Sequence, residues 1–374
     1  MSAVKNANIC AILERNVTHA GVAPAAAAGY AGALVPKSVA AAGSLPGGTP
    51  ADTETIFDLA SVSKPVVACT LMRLSVQGDV DLQAPLGSFV PEARGSGSEH
   101  LPVELFLAHR AGLEAHRALF APLLQGRAVS RERALRTAAR ARRADCAGEA
   151  PLAGFAPVYS DLGYILLGAV IEAVTAEPLD AVVERELALP LGLELGSARQ
   201  VRRRRPGFDR EVAPTEIVRA RGGLLRGIVH DENAWALSGH AASGHAGLFG
   251  TVHDVLAFGL ALLDALAGRS QWLSREALQA LVRLRPGGTL RAGFDGKSAG
   301  VSSAGALSGP ETFGHLGFTG TSLWCDPGAG VTSVLLTNRV YPTRDNPKIR
   351  AARPLVHDAL WAEARRLLPE GPNP

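Results

Sequence analysis

Three hydrophobic patterns run along the chain, and each predicts a different kind of element. The first is apolar residues at helical spacing. They mark a short amphipathic helix over residues 7–20 (Ile9, Ile12, Leu13, Val17). They mark a clearer one where Leu162, Ile165, Leu166, Ala169, Val170, Ala173 and Val174 form a stripe behind Ser160 or Asp161 as N-cap. Thr251 and Asp254 have capping-box spacing and open a helix running to Gly268. A further helix runs from Ser274 to near Leu284, and a last one covers 349–368 with Pro354 in its first turns. The second pattern is short runs of small or β-prone residues. Segments 24–33 and 37–45 read as a hairpin of buried strands, and 312–318, 322–325 and 331–338 as three more, separated by Gly-rich turns. Between them lie a short helix over 101–109 ended by Gly112 and an Arg-rich helical stretch over 117–144. Residues 196–223, with Arg202 to Arg205 followed by Pro206-Gly207, read as a mobile surface loop. Strands therefore fall only at the two ends of the chain and helices in the middle.

The third pattern is the largely apolar run Val66-Val67-Ala68-Cys69-Thr70-Leu71-Met72, long enough for a buried helix that Gly78 can end. Pro65 sets where this helix begins. A proline ring clashes with the carbonyl four residues earlier in a helix interior, and that carbonyl belongs to Ser61. The helix is predicted to start at about Ser61. Ser61 then stands at a helix N-terminus, where backbone N–H groups point outward, with Lys64 one turn away on the same face. A hydroxyl at a positive helix end beside an amine is an arrangement for an activated nucleophile, and it is also what a plain Ser cap followed by a surface Lys would look like. Tyr159 falls on the loop just before the helix that starts at Ser160 or Asp161. Its bland reading is an aromatic plug beside the helix entry.

Composition changes this picture mainly by exclusion. The 374 residues suffice for one large domain or two ordinary ones, and 47% apolar with 20% charged residues fits a sizeable core. A formal net charge of +3 gives no reason to expect nucleic acid or a membrane surface as partner. The four cysteines have no CxxC spacing. The first residues lack the apolar core of a signal peptide, and no apolar run approaches the ~20 residues needed to span a bilayer. The expectation is a soluble cytoplasmic protein with reduced thiols. His230, His240 and His245 with Asp231 and Glu232 match no zinc spacing, so neither metal nor cofactor is expected, and the glycines around them suggest tight turns.

Read together, several stretches resemble one family. Phe57-Asp58-Leu59-Ala60-Ser61-Val62-Ser63-Lys64 looks like the first motif of serine β-lactamases and penicillin-recognising hydrolases. Tyr159-Ser160-Asp161 resembles their Tyr-x-Asn motif as it occurs in the class C and esterase branch, and Gly314-His315-Leu316-Gly317 their His-Thr-Gly or Lys-Thr-Gly motif. Leu107-Ala108-His109-Arg110-Ala111-Gly112-Leu113 and Gly244-His245-Ala246-Gly247-Leu248-Phe249-Gly250-Thr251 are similar to further segments of the family. The matches keep the family's order across about residues 55–340. The resemblance implies an α/β (α+β) fold: N- and C-terminal strands in one antiparallel sheet flanked by helices (1–77 with 245–374), an inserted mostly helical domain (78–244), and the active site in the cleft between them.

It also implies chemistry. Ser61 would attack an acyl carbonyl and form an acyl-enzyme, Lys64 or Tyr159 would handle the proton, and backbone N–H groups of Ser61 and Phe318, with His315 and Gly317 alongside, would face the substrate. Two departures matter. Asp161 stands where the family has Asn: beside Lys64 it would hold the lysine charged, and turned into helix capping it would not. Leu316 stands where the family has a Thr that donates to a substrate carboxylate, so β-lactam carboxylates should bind poorly. These departures point to a cytoplasmic esterase or amidase on small acyl substrates. The alternatives are a β-lactamase or D-alanyl-D-alanine carboxypeptidase-like penicillin-binding protein, and a non-catalytic binding module.

Overall fold

The computed structural model describes residues 6–368. The two terminal groups of strands meet in one antiparallel sheet. Its strands are β1 (Ala25–Gly32), β2 (Ser38–Gly43), β3 (Asp295–Gly296), β4 (Phe313–Leu316), β5 (Ser322–Asp326) and β6 (Val331–Thr337), in the order β2-β1-β6-β5-β4-β3. β1 sits centrally because it pairs with β2 on one side (Gly29 opposite Val39) and with β6 on the other (Gly29 opposite Val334). Alternation sends neighbouring side chains to opposite faces. Ala26, Ala28 and Tyr30 pack under helices α1 (Ala7–Leu13) and α5 (Ile349–Arg365), with Trp324 and Leu335. Ala25, Ala27 and Ala31 face the other way, into the core built on α2 (Ser63–Gln77), α3 (Asp161–Thr175) and α4 (Val252–Leu266). A sheet covered on both faces by helices needs small residues wherever the helices come close, which accounts for the alanine-rich strands.

Most predicted elements are found close to where the pattern places them. α2 ends at Gly78, whose left-handed φ of 89° suits a residue without Cβ. Thr251 and Asp254 form the reciprocal capping box of α4, and Ser274 caps the helix Arg275–Val282. Pro354 lies inside the first turns of α5. Among the described residues no helix is long and apolar enough to cross a membrane.

Two readings are corrected. The stretch 117–144 is not one helical run. It holds the helix Arg131–Arg140 between the short 3-10 turns Ala121–Gln125 and Ala144–Cys146. Residues 196–223 are not a loop. Ser197 and Gln200 make a capping box that starts the helix Ala198–Arg204, followed by the short helix Phe208–Glu211 and a small hairpin. The four arginines are held by acids: Arg202 by Asp209, Arg203 and Arg204 by Glu184, and Arg205 by Glu54. Paired charges remove the mutual repulsion that would otherwise keep such a run extended.

Candidate active site

Ser61 is positioned by a strained and heavily tied turn. The strand Phe57–Asp58 pairs with Leu248–Gly250, and the chain then turns through Ala60, a non-glycine residue with φ of 47°. Such a conformation costs roughly 1–3 kcal/mol and persists only where the surroundings hold it. Here the Ala60 N–H donates to Asp58 Oδ1 at 2.8 Å. Thr319 Oγ1 donates to the Asp58 carbonyl (2.7 Å) and Thr321 Oγ1 to the Leu59 carbonyl (2.9 Å). These two bonds lock the turn against the connection between β4 and β5. A 3-10 turn, Ala60–Val62, leads directly into α2, so Ser61 stands at the helix start as Pro65 requires.

Lys64 lies beneath Ser61 and is fully buried. Its Nζ has three acceptors: Asp161 Oδ1 at 2.7 Å, Ser61 Oγ at 2.9 Å and the His245 carbonyl at 3.1 Å. An ammonium has three N–H groups and no lone pair, so Lys64 only donates here, and the Tyr159 hydroxyl also lies within hydrogen-bond reach of Lys64 and Ser61. Burial pushes the Lys64 pKa down, but Asp161 and Tyr159 push it up and prevail. Asp161 is shifted the opposite way: burial raises its pKa, while the Lys64 charge and His116 bring it well below the usual carboxylate range. Asp161 is free to reach Lys64 because Ser160, not Asp161, caps α3, accepting from the Gly163 N–H. Its second oxygen lies 3.6 Å from His116 Nδ1 at the cavity mouth.

Tyr159 lies between two histidines, its ring centroid 4.9 Å from His109 and 5.8 Å from His315. Lys64 Nζ is 4.8 Å from the same centroid. Backbone partners set the histidine tautomers. The Ser160 N–H can only donate, so His109 Nδ1 accepts and its proton sits on Nε2. The Leu316 carbonyl can only accept, so His315 Nδ1 carries the proton and Nε2 keeps its lone pair. Burial first, then the Lys64 charge, push both histidines down to about 3, so both are neutral near pH 7. Burial raises the Tyr159 pKa and Lys64 only partly offsets it, so the phenol keeps its proton.

Ser61, Tyr159, Asp161, His315, Gly317 and Phe318 line one cavity of about 800 Å³, with Lys64 under its floor. Among the described residues, neither the Ser61 N–H nor the Phe318 N–H has a hydrogen-bond partner. Two orphan backbone donors beside a hydroxyl can hold a developing oxyanion. All seven residues singled out in the sequence thus come together. Others escaped sequence reasoning. His116 carried no signal there. His245 was flagged by its Gly-rich setting, yet what it offers Lys64 is a carbonyl, while its ring is held by Asp231 (2.8 Å) and Ser243 (3.1 Å).

A hydroxyl and a buried lysine at a helix start, facing paired backbone donors beside an antiparallel sheet, belong to a serine hydrolase. The chain is a member of the beta-lactamase family, whose sequence profile matches residues 11–357. A protein of Salmonella agona (strain SL483), provisionally named D-alanyl-D-alanine carboxypeptidase, is 29% identical over 80% of this chain and 73% of its own length. Among solved structures, EstCE1, described as a hydrolase with promiscuous acyltransferase activity, superposes with a TM-score of 0.71 at 22% identity, covering 95% of this chain and 98% of that one. A D-amino acid amidase from Ochrobactrum anthropi SV3 gives 0.69 at 20% identity, covering 96% and 99%. These structures establish the β-lactamase-like fold.

Proposed function

We propose that the protein is an esterase or amidase that forms an acyl-enzyme on Ser61 with small acyl substrates. The observation that carries this reading is the 2.9 Å contact between Lys64 Nζ and Ser61 Oγ at the floor of the cavity. Because Lys64 is an ammonium, it donates to Ser61 Oγ, and the serine proton is directed to the Tyr159 hydroxyl, which hydrogen-bonds Ser61. Ser61 Oγ bonds to the acyl carbon as its proton passes to the Tyr159 oxygen and, in the same step, the Tyr159 proton passes to the leaving oxygen or nitrogen, so the phenol never holds two protons; the bond to the protonated leaving group then breaks. Lys64 stays positive throughout and lowers the energy of charge on both oxygens. The Ser61 and Phe318 N–H groups hold the oxyanion. Water then repeats the sequence in reverse and releases the acid. Tyr159 acts as a shuttle here because its raised pKa disfavours a resting phenolate.

This reading treats 1–77 with 245–374 as the sheet unit and 78–244 as a mostly helical insert; its support is that the six strands of the main sheet come from residues 25–43 and 295–337. It places the enzyme in the cytoplasm, where the buried thiols of Cys69, Cys146 and Cys325 would stay reduced. The test is turnover of p-nitrophenyl acetate and butyrate by purified protein. Rates no higher than those of a Ser61→Ala control would remove the proposal.

A second reading, a penicillin-binding carboxypeptidase, is favoured by the relatives named for that activity. Covalent labelling of Ser61 by a fluorescent penicillin, with release of D-alanine from a D-Ala-D-Ala peptide, would put it first.

A further inference from the structure

Of the groups around Lys64 Nζ, the His245 carbonyl alone belongs to the backbone. An ammonium turns freely about its own Cε–Nζ bond. A fixed acceptor on one N–H sets that rotation and aims the others at Ser61 Oγ and Asp161. What fixes the carbonyl is therefore part of the nucleophile's geometry.

Packing holds it only in part. The turn around His245 is closed by the Ser243 N–H on the Ala246 carbonyl (2.9 Å) and the return bond (3.2 Å). It presses on α3, since a Cβ on Gly244 would fall 1.8 Å from the Tyr164 carbonyl. Yet Ser243 and Gly244 also line a second cavity of about 130 Å³, so the turn is not packed all round. The His245 ring, 1% exposed, supplies the missing restraint. A carboxylate only accepts, so Nε2–H donates to Asp231 Oδ1 at 2.8 Å. Nδ1 lies 3.1 Å from Ser243 Oγ, and a hydroxyl donates or accepts, so both bonds persist whatever charge the ring carries.

Asp231 is itself held. The same oxygen accepts the Ala234 N–H (2.8 Å) and caps the helix Glu232–Ser238. The preceding His230 donates its N–H to Asp58 Oδ2 at 2.7 Å. The other Asp58 oxygen takes the Ala60 N–H, the bond that holds the Ser61 turn. The links close a ring: Ser61 turn, Asp58, His230 and Asp231, His245, Lys64, and back to Ser61 Oγ.

We propose that Asp231 and His245 are positioning residues that set the Lys64 ammonium against Ser61 Oγ. The inference rests on the Ser61 hydrolase reading for the rate, and on the hydrogen bonds alone for the position. Both residues act through Lys64 and not on the substrate. A shift of about 1 Å at reacting groups costs on the order of 100-fold in rate, and the loss of one of several restraints on Lys64 costs a part of that.

The experiment measures kcat and KM for p-nitrophenyl butyrate, and titrates Lys64 by NMR in protein made with isotope-labelled lysine. The chain has five lysines, so Lys64→Met assigns the signal. His245→Ala and Asp231→Ala are expected to lower kcat about tenfold or more with little change in KM, and to move the Lys64 titration to lower pH. Asp231→Asn keeps an acceptor oxygen for the ring and for the Ala234 N–H, and should stay within about threefold of the native kcat with a native-like titration. The other groups facing Lys64, namely Asp161, Tyr159, His109 and His315, are the same in every variant. Asp231→Asn as slow as Asp231→Ala overturns the inference, because the charge and not the hydrogen bond would then matter. Native kcat in a folded His245→Ala protein overturns it and leaves the hydrolase reading intact. If neither alanine variant folds, Asp231→Asn decides alone: native-like kcat supports the positioning and a tenfold loss overturns it. No ester hydrolysis even by the native protein, with the Lys64 titration shifted in His245→Ala and native-like in Asp231→Asn, removes the hydrolase reading and supports the positioning. An unshifted titration in that case overturns both.

Discussion

Asp161 Oδ1 lies 2.7 Å from Lys64 Nζ, closer than the 2.9 Å that separates the same nitrogen from Ser61 Oγ. A full carboxylate at this position raises the Lys64 pKa and favours its charged form, where a neutral amide would let burial drive it toward the free amine. Asp161→Asn is therefore expected to lower the Lys64 pKa. The pH profile of kcat/KM for p-nitrophenyl butyrate should lose its alkaline limb at a lower pH than in the native protein. Stability should drop by about 3 kcal/mol or less, the cost of a broken buried pair being limited because Lys64 can shed its proton. An unmoved alkaline limb would show that the charge on Lys64 is not what the rate depends on.

Replacing the reacting groups separates their duties. Ser61→Ala should abolish acyl-enzyme formation, seen as no acyl adduct by intact-protein mass spectrometry. Tyr159→Phe keeps the ring between His109 and His315 but removes the shuttle, and should lower kcat about 100- to 10,000-fold. Lys64→Met should cost a similar factor. If Tyr159→Phe turned over ester at the native rate, the proton would have to travel by another route.

How much of this was legible beforehand follows from the range of each interaction. The nucleophile helix was readable because Pro65 acts on a carbonyl four residues away, and the capping box of α4 because its two partners are three residues apart. The sheet was readable as strands, since β-prone runs between glycines are local, but its central β1–β6 pairing joins residues some 300 positions apart. The helix Ala198–Arg204 was hidden behind its arginine run. Its capping box is local, yet the acids that neutralise the charges include Glu54, far back in the chain. Asp161 had two possible directions, and only the folded chain shows that Ser160 takes over capping. The His245 carbonyl could not be foreseen at all, because every residue has one and only the Gly-rich turn around it determines where it points.

Gly317 tests the link between the two candidate oxyanion donors. A Cβ there would fall 1.9 Å from Thr321 Oγ1 and 2.6 Å from the Leu59 carbonyl, both members of the bond that ties the Ser61 turn to the strand connection. Backbone cannot yield as a flexible side chain does, so Gly317→Ala should push the Phe318 N–H away from Ser61. Loss of one such donor costs about 100- to 1,000-fold in kcat. KM should change little, and Ser61 should still react with a fluorophosphonate at a reduced rate. Native kcat in a folded Gly317→Ala protein would disconnect Phe318 from the reaction.

His116 offers a pH-dependent reading of the same cluster. It is about half exposed, and its Nδ1 lies 3.6 Å from Asp161 Oδ2. The Asp161 contact raises its pKa, burial opposes the rise, and the nearby Asp231 and Glu232 reinforce it. A histidine whose pKa is higher in the folded than in the unfolded chain stabilises the fold fully below its unfolded value of about 6.5. That contribution is lost as pH rises through the folded value. Asp161 behaves oppositely: its depressed pKa keeps its contribution present above about pH 4, so it adds no slope in the neutral range. Melting temperatures of the native protein and of His116→Gln, recorded from pH 5 to 8, should therefore differ most at the acid end and converge toward pH 8. The gap stays small, because the contact is long and its histidine half exposed, so water and salt screen it. A gap that widened toward alkaline pH would mean that His116 is held by something other than its pairing with Asp161.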